Sequence, residues 1–446
     1  MKRIKNCIKA YVFVGILFFL FGGLTVFVQL LVPHLRDIFE LNYTHASLLL
    51  LFFFLPYLLF SIPAGFILAR LGYQRGIIIG LILIALGALL FHPASEERQF
   101  SLFLLASFVL GSGITFLQVA ANPYVALLGE PSSAPVRLTF SQAFNALGTM
   151  VAPLAGGFFL LNDEVKTSSE LAKLSTIDRN MYFQQEALAI QIPFLYIALA
   201  VTFLAFLFAL IRLRTGNCIG YEEPSTSYNY VALLKKPSLL LAAIGIFLYV
   251  GAEVVIGSFA VNYFLEMNVV KELAAYPQLL SLKHFLGKTV LPSSLYTSYP
   301  KAIVAYFLIF YWGGAMVGRF LGAFLAKRFS PSKLLMIAAL SVISLLFVSV
   351  NTGGILSMVS LLAVGLFNSI MFPIIFSLGS EDVDEQKTEA SALLCTMIVG
   401  GGFIPVLHGF FVDYVGFRLA YLTLVVCYGY ILFFGFYSQM KKMRVS

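Results

Sequence analysis

The sequence predicts an all-α integral membrane protein with twelve transmembrane helices. Of its 446 residues, 60% are hydrophobic and only 11% are charged, whereas an ordinary soluble domain has about 25% charged residues. The mean hydropathy of +0.92 agrees, because so few charges could not cover the surface of a soluble protein of this size. These values exclude a cytosolic enzyme, a secreted disulfide scaffold and a disordered protein.

Twelve apolar runs are long enough to cross a bilayer as helices, which takes about 20 residues each. In order along the chain they are residues 10–32, 44–69, 76–93, 100–127, 137–161, 191–212, 238–265, 301–326, 332–350, 354–378, 388–412 and 417–438. None alternates apolar and polar residues over about ten positions, as the strands of a membrane β-barrel do. The first run follows a basic N-terminus, but it is too long for a signal peptide and no cleavage site follows, so we predict an uncleaved helix.

Lysine and arginine counts predict the orientation of the helices. With a cytoplasmic N-terminus, the inside segments contain 18 of the 29 lysines and arginines, and the short outside loops contain three. Such an excess marks the cytoplasmic side, so we predict cytoplasmic termini and a multi-pass membrane protein. Topology then explains the net charge of +8, and the expected macromolecular environment is a lipid bilayer rather than nucleic acid.

A polar segment between the sixth and seventh spans divides the chain into two sets of six helices. We predict an N-terminal six-helix half at 1–212, a cytoplasmic linker at 213–237 and a C-terminal six-helix half at 238–446. Two other polar segments, 162–190 and 266–300, are predicted to be long outside loops.

The two halves also repeat each other in sequence. Pro123 and Pro373, in the fourth and tenth spans, are 250 positions apart, and Gly148 and Gly400, in the fifth and eleventh, are 252 positions apart. Parallel six-helix halves are typical of secondary transporters, whose substrate lies near the bilayer midplane between the halves.

Several stretches resemble known transporters. GFILARLGYQRG, which contains Arg70 and Arg75, resembles the loop signature of the major facilitator superfamily, although Ala69 replaces its usual Asp. QVAANPYVALLG, RLTFSQAFNALGTMVAPLAGG, YVGAEVVIGSFAVNY and YWGGAMVGRFLG resemble the glucose/galactose branch of the L-fucose:proton symporter family. The resemblance implies the major facilitator fold, a monomer in a bacterial inner membrane, and proton-coupled import of a hexose such as glucose, galactose or fucose by alternating access.

Two positions depart from the fucose-transporting members of that family. Those members have an Asp four residues before a proline in the first span and a Glu just before the AANP stretch, and this chain has Gln29 and Gln118 there. Neither glutamine can titrate. A uniporter, a sodium symporter or a carrier of a non-sugar metabolite on the same fold therefore stays an alternative to a proton symporter.

Glu253 is the candidate proton-coupling residue. It lies near the centre of the seventh span, where a charge costs about 3 kcal/mol or more on insertion scales and usually faces a cavity or a partner. The alternative is a structural ion pair or a neutral, hydrogen-bonded acid. Arg319 in the eighth span is expected to have a gating or structural role, as are Arg70 and Arg75, and His408 is expected to be interfacial.

Side-chain amides at membrane depth are candidates for binding a sugar, because each amide supplies both a donor and an acceptor to paired hydroxyls. The alternative is hydrogen bonding between helices, worth about 0.6 kcal/mol per contact. With Glu253, the predicted substrate-binding set is Gln29, Gln118, Asn122, Gln142, Asn145, Glu253, Asn262 and Asn368.

Other functional classes lack sequence support. There is no P-loop, no HExxH motif, no CxxC pair and no nucleophile–base set, so we predict neither an enzyme nor a protein that needs a cofactor or a metal. A transport-inactive sugar sensor is an alternative of another class, although the linker of about 25 residues is short for a signalling domain. The predicted small-molecule partners are a sugar and a proton or sodium ion.

Overall fold

We analysed a computed structural model that describes residues 2–128, 134–159, 174–210, 233, 235–275, 300–325, 328–381, 383 and 387–445. Every regular element within these ranges is helical. The α-helices are α1 (Lys2–Ile38), α2 (Tyr43–Leu71), α3 (Tyr73–Glu96), α4 (Phe100–Leu127), α5 (Ala134–Phe159), α6 (Thr176–Ala189), α7 (Gln191–Leu210), α8 (Pro237–Glu266), α9 (Val269–Ala275), α10 (Pro300–Leu325), α11 (Pro331–Asn351), α12 (Gly354–Asn368), α13 (Met371–Ser380), α14 (Lys387–Thr396), α15 (Gly400–Ala420) and α16 (Leu422–Val445), with a 3₁₀ turn at Met397–Val399.

The helices confirm the predicted all-α membrane architecture. Eleven stretches of the described residues are long and apolar enough to cross a membrane, and the 26-residue helix α5 lies where the fifth of the twelve spans is predicted. The cytoplasmic location of the termini stays a prediction. So do the boundaries of the halves, because most of the linker predicted at 213–237 lies outside the described residues.

Three details differ from the sequence-based expectation. The predicted outside loop 162–190 contains the helix α6, which Ser175 starts by accepting a hydrogen bond from the backbone of Asp178. The tenth span is two helices, α12 and α13, with a break at Ser369 and Ile370. The eleventh span is helical up to Gly416, whose φ of 77° ends it, so the loop expected before the twelfth span is reduced to a kink.

The helices pack in a pattern that the two halves share. In the first half α1 packs against α5, α2 against α4, α3 against α4 and α3 against α7. In the second half the equivalent spans pack in the same way: α8 against α15, α10 against α12, α11 against α12 and α11 against α16. The halves meet where α2 contacts α15, α5 contacts α10 and α1 contacts α8.

Two glycines explain part of the sequence repeat. Gly148 of α5 lies against the carbonyl oxygen of Phe19 in α1, and Gly400 of α15 lies against that of Phe247 in α8. A Cβ at either glycine would overlap the oxygen, so only glycine allows this helix spacing. Phe19 and Phe247 are 228 positions apart, which fixes how α1 corresponds to α8.

Candidate functional site

Glu253 lies in the middle of α8 and keeps part of its surface accessible. The Tyr249 hydroxyl, one helical turn earlier, is 2.9 Å from Glu253 Oε1. The same hydroxyl is 2.9 Å from the backbone oxygen of Asn368. Arg319 of α10 is within electrostatic reach of the Glu253 carboxyl group. The Glu253 carboxyl therefore has a hydrogen-bond partner in Tyr249 and a nearby cation in Arg319.

Asn368 connects this carboxyl to the break in the tenth span. It is fully buried and is the last residue of α12, where backbone carbonyls lack partners within the helix. Its Nδ2 donates to the Tyr311 hydroxyl of α10 at 2.9 Å. Pro373 has no N–H and cannot donate to the carbonyl of Ser369, which favours a break at this point.

The first half contains an equivalent hydrogen bond. Gln118 Nε2 of α4 donates to the Tyr57 hydroxyl of α2 at 2.7 Å. Gln118 precedes Asn368 by 250 positions, the offset of the sequence repeat, and Tyr57 precedes Tyr311 by 254. Each half therefore has one amide–tyrosine pair at the same place in its fourth and second helices.

The carboxyl group has no such counterpart. By the correspondence between α1 and α8, Thr25 stands where the second half has Glu253, and Phe21 stands where it has Tyr249. Thr25 Oγ1 donates to the backbone oxygen of Phe21 at 2.7 Å. At this pair of positions, only the second half has a titratable group.

Gln29 lies at the axis that relates the two halves. It is 1% exposed, and its Oε1 atom fills the space beside Gly257, where a Cβ would overlap it. Gln29 and Gly257 are themselves 228 positions apart, and equivalent residues contact each other only near a twofold axis. Among the described residues, Gln29 Oε1 and the nearby Trp312 Nε1 have no hydrogen-bond partner, so both can bind a ligand hydroxyl.

Gln142 and Arg319 connect the halves on the predicted cytoplasmic side. Arg319 Nη1 donates to the backbone oxygen of Gln142 at 2.7 Å. This bond joins α10 to α5 and agrees with a gating role for Arg319. Arg70 and Arg75 are both exposed, on either side of the turn between α2 and α3, where Gly72 has a φ of 82°.

The other three predicted amides, Asn145, Asn262 and Asn122, lie on α5, α8 and α4. Asn145 Nδ2 donates to the backbone oxygen of Phe18 at 3.3 Å, so this amide joins α5 to α1. Asn262 lies near Tyr43, nine residues, or about 13 Å, from Glu253 along α8. Asn122 is half-buried on α4.

Residues near Tyr43 close the predicted outer end of the bundle, which we call the outer latch (Arg36, Tyr43, Thr44, Asp413 and Phe417). The Asp413 carboxylate accepts hydrogen bonds from Tyr43 N at 2.8 Å, Thr44 N at 2.9 Å and Thr44 Oγ1 at 2.6 Å. The Arg36 guanidinium lies 4.1 Å from the centre of the Tyr43 ring, and Phe417 packs against its edge. Gln29 and Asn262 are buried, whereas Gln118, Gln142 and Glu253 are half-buried.

His408, which the sequence places near the outer end of its span, is buried between helices. Its side chain is 1% exposed, with Nδ1 3.2 Å from Thr423 Oγ1 and the ring against Phe259 and Tyr421. Beyond His408, α15 continues for about two turns before the kink at Gly416.

The sequence analysis missed the tyrosines that bond to the amides. Tyr57 and Tyr311 are ordinary residues of apolar runs, and only their spacing of 254, close to the offset of the repeat, could have singled them out. Tyr249 carried a clearer signal, because a residue four positions before Glu253 lies on the same face of a helix. Within the described residues no cluster of side chains could hold a metal ion.

Comparisons with known proteins agree with this architecture. The model of the Major Facilitator Superfamily matches residues 13–399. A glucose/galactose transporter of Brucella abortus biovar 1 (strain 9-941) is 41% identical over 432 residues, 97% of this chain and 94% of that protein. An L-fucose-proton symporter of Escherichia coli (strain K12) is 30% identical over 429 residues, 95% and 92% of the two chains. A crystal structure of the E. coli fucose:proton symporter matches with a TM-score of 0.68 at 28% identity, over 97% of this chain and 99% of that one.

Proposed function

Because the chain belongs to the Major Facilitator Superfamily, we propose that it imports a hexose such as glucose, galactose or fucose by alternating access, coupled to the entry of protons. The observation that carries this proposal is the pair of equivalent amide–tyrosine bonds, Gln118–Tyr57 and Asn368–Tyr311, together with the half-buried carboxyl group of Glu253 on α8. The names of the relatives support the substrate class.

The amides supply the chemistry that a sugar needs. Gln29 Oε1 offers an acceptor and Trp312 Nε1 a donor beside Gly257, and one hydroxyl can bond to both. Gln118, Gln142 and Asn368 add amides from α4, α5 and α12, so both halves contact one substrate. Asn122, Asn145 and Asn262 complete the proposed set, with the last of these near the outer latch.

Glu253 is the proposed proton carrier. With Gln29 and Gln118 where fucose-transporting members have acids, Glu253 is the acid that the described membrane-depth residues offer at the site. A protonated Glu253 is neutral, so the transporter can change from its outward-facing to its inward-facing state with sugar bound. Release of the proton leaves a negative charge on Glu253 within electrostatic reach of Arg319. Binding of the proton and the sugar on the same side makes import follow the proton gradient.

A second candidate function keeps the fold and changes the coupling. Gln29 and Gln118 favour a uniporter or a sodium symporter. A carrier of a non-sugar metabolite on the same fold is a further alternative. A sugar sensor without transport is the alternative of another class, and it predicts binding without any exchange across the membrane.

The test begins with counterflow of labelled hexoses in proteoliposomes without an ion gradient, which requires only binding and alternating access. Exchange of one hexose is the expected result, and silence from folded protein across glucose, galactose and fucose would contradict the sugar assignment. Imposed proton or sodium gradients then identify the coupling ion, and uphill uptake driven only by sodium would contradict proton coupling.

A variant separates coupling from binding. Glu253→Gln should abolish proton-driven accumulation and spare counterflow, because glutamine mimics the protonated acid but cannot release a proton. Glu96→Gln is the matched control, since Glu96 is a surface acid paired with His92, and it should accumulate sugar as the unmodified chain does. Loss of counterflow as well in Glu253→Gln would make Glu253 a structural or sugar-binding residue.

A further inference from the structure

The Tyr249 hydroxyl lies between two oxygens that both accept hydrogen bonds. It is 2.9 Å from Glu253 Oε1 and 2.9 Å from the backbone oxygen of Asn368. A hydroxyl has one proton to donate and two lone pairs that accept. Tyr249 therefore cannot donate well to both oxygens at once, and one of the two must supply a proton of its own.

Only Glu253 can supply that proton. A backbone carbonyl is an acceptor in every state, whereas a protonated carboxyl group has an O–H to donate. The geometry is thus satisfied when Glu253 donates to the Tyr249 oxygen and Tyr249 donates to Asn368. When Glu253 loses its proton to water, its carboxylate becomes the stronger acceptor, the Tyr249 O–H turns to it, and the buried carbonyl of Asn368 loses its donor.

The carbonyl of Asn368 lies at a point of the fold where the loss of its hydrogen-bond donor can change the backbone. Its carbonyl is at the end of α12, next to the break at Ser369 and Ile370. A buried carbonyl without a donor costs about 1–3 kcal/mol in general, and a break between two helices is a place where the backbone can rearrange. Gly318 of α10 packs so closely on Leu366 and Ser369 that a Cβ there would overlap both, so a change at the break reaches α10.

We propose that Tyr249 is a positioning residue that transmits the protonation state of Glu253 to the break between α12 and α13. The inference rests on the proposed function, because it takes Glu253 as the proton carrier. It assigns the coupling device to the second half alone, since the equivalent positions in the first half are Thr25 and Phe21. The gate that responds to the proton is then α13, the cytoplasmic part of the tenth span.

Other charged and titratable groups also lie within electrostatic reach of Glu253. The charged and titratable residues facing it are Arg319 and Tyr311 on α10, Tyr428 on α16, and Tyr249 on α8 itself. Tyr311 accepts from the Asn368 side chain and takes no part in the bonds from Glu253 through Tyr249 to the Asn368 carbonyl. Tyr311→Phe is therefore the matched control for Tyr249→Phe, since both remove one hydroxyl that bonds to Asn368.

The test places a reporter at the break. Ser369, which is buried, is changed to Cys in a full-length chain whose four native cysteines are alanine, and its rate of maleimide labelling in proteoliposomes is followed from about pH 5.5 to about pH 8.5. Each rate is divided by that of the same reporter with Glu253→Gln, which removes the intrinsic pH dependence of the thiol. We expect this ratio to rise about tenfold with pH, a shift of about 1.4 kcal/mol, and to keep its rise in Tyr311→Phe.

In Tyr249→Phe, the ratio of the labelling rates with Glu253 and with Glu253→Gln should stay constant as the pH rises. An equal rise in that variant, or a flat ratio while Tyr249 is intact, would overturn the inference. Infrared spectra of the chain with native Tyr249 and of the variant give a second readout that needs no transport. The carboxylic C=O band that disappears in Glu253→Gln should move to higher frequency in Tyr249→Phe, and an unchanged band would contradict the contact.

Proton-driven sugar uptake in the same vesicles separates this inference from the proposed function. Uptake without any proton dependence, together with a pH-dependent ratio that needs Tyr249, would reject the proposed coupling and uphold the inference. Proton-coupled uptake with a flat ratio would reject the inference and uphold the function.

Discussion

The surroundings of Gln29 in the fold could not be predicted from the sequence. The sequence identifies it as an uncharged residue at a position where relatives of one kind have an acid. What it does in the fold depends on Gly257, 228 positions away, because the amide occupies the space that this glycine leaves on the axis. A contact between two residues on the axis depends on how the halves dock, which local sequence patterns do not encode.

Substitution of Gly257 tests this contact. Gly257→Ala should lower the midpoint of thermal unfolding in detergent, because its Cβ overlaps Gln29 Oε1 and overpacking costs about 1–3 kcal/mol. The double variant Gln29→Ala with Gly257→Ala should recover most of the loss. Equal midpoints for the single and the double variant would mean that Gln29 does not occupy this space.

The paired tyrosines allow a comparison between the halves. Tyr57→Phe should weaken sugar binding, measured as the concentration for half-maximal counterflow, by about 2- to 12-fold, the effect of one neutral hydrogen bond. Tyr57 bonds to Gln118 and takes no part in the proposed link from Glu253 through Tyr249 to Asn368, so the pH profile of uptake should not change. A shifted profile would show that the first half also takes part in coupling.

At the scale of helices, apolar length and charge placement predicted the spans well, because the cost of exposing backbone to lipid leaves few alternatives to a helix. The same pattern could not show the break in the tenth span. Pro373 indicated a kink, but the exact residues depend on Tyr249 and Gly318, which approach from α8 and α10. For the same reason the burial of His408 was missed, since it depends on a helix end set by Gly416.

The repeated glycines make a prediction about helix packing. Gly148→Ala and Gly400→Ala should each lower the unfolding midpoint, because the added methyl group meets a carbonyl oxygen of the neighbouring helix. Gly65→Ala and Gly429→Ala are the controls: nothing lies within 4 Å of a Cβ at either position, and alanine is the better helix former by about 1 kcal/mol. Destabilisation of the controls to the same extent would remove the special role of the repeat.

For the whole molecule, the two-half architecture followed from the sequence because its offsets of 250 and 252 are nearly constant. The closed outer end did not follow, since the outer latch joins residues about 370 positions apart. Asp413 lies at the N-terminus of α2, where a carboxylate stabilises the unpaired N–H groups and the helix dipole.

Removal of the negative charge of Asp413 should favour opening of the bundle to the outside. In Asp413→Asn, a cysteine introduced at buried Asn262 should react faster with a membrane-impermeant thiol reagent added from outside, by about fivefold for a loss of about 1 kcal/mol. Glu96→Gln, at another exposed acid of the predicted outer side, should leave the rate unchanged. An unchanged rate in Asp413→Asn would show that other contacts keep this end closed.

Thr25 at the position that corresponds to Glu253 has an energetic consequence. In the proposed mechanism, with Glu253 as the titratable carboxyl of the site among the described residues, a cycle that imports a neutral sugar moves one elementary charge. An interior-negative potential of 100 mV supplies about 2.3 kcal/mol to that charge, and one unit of pH difference supplies about 1.4 kcal/mol. The ceiling on sugar accumulation under these conditions is about 500-fold. A second acid would square that ceiling and double the proton demand of every turnover, so the proposed mechanism predicts that the asymmetry between the halves sets the stoichiometry of uptake.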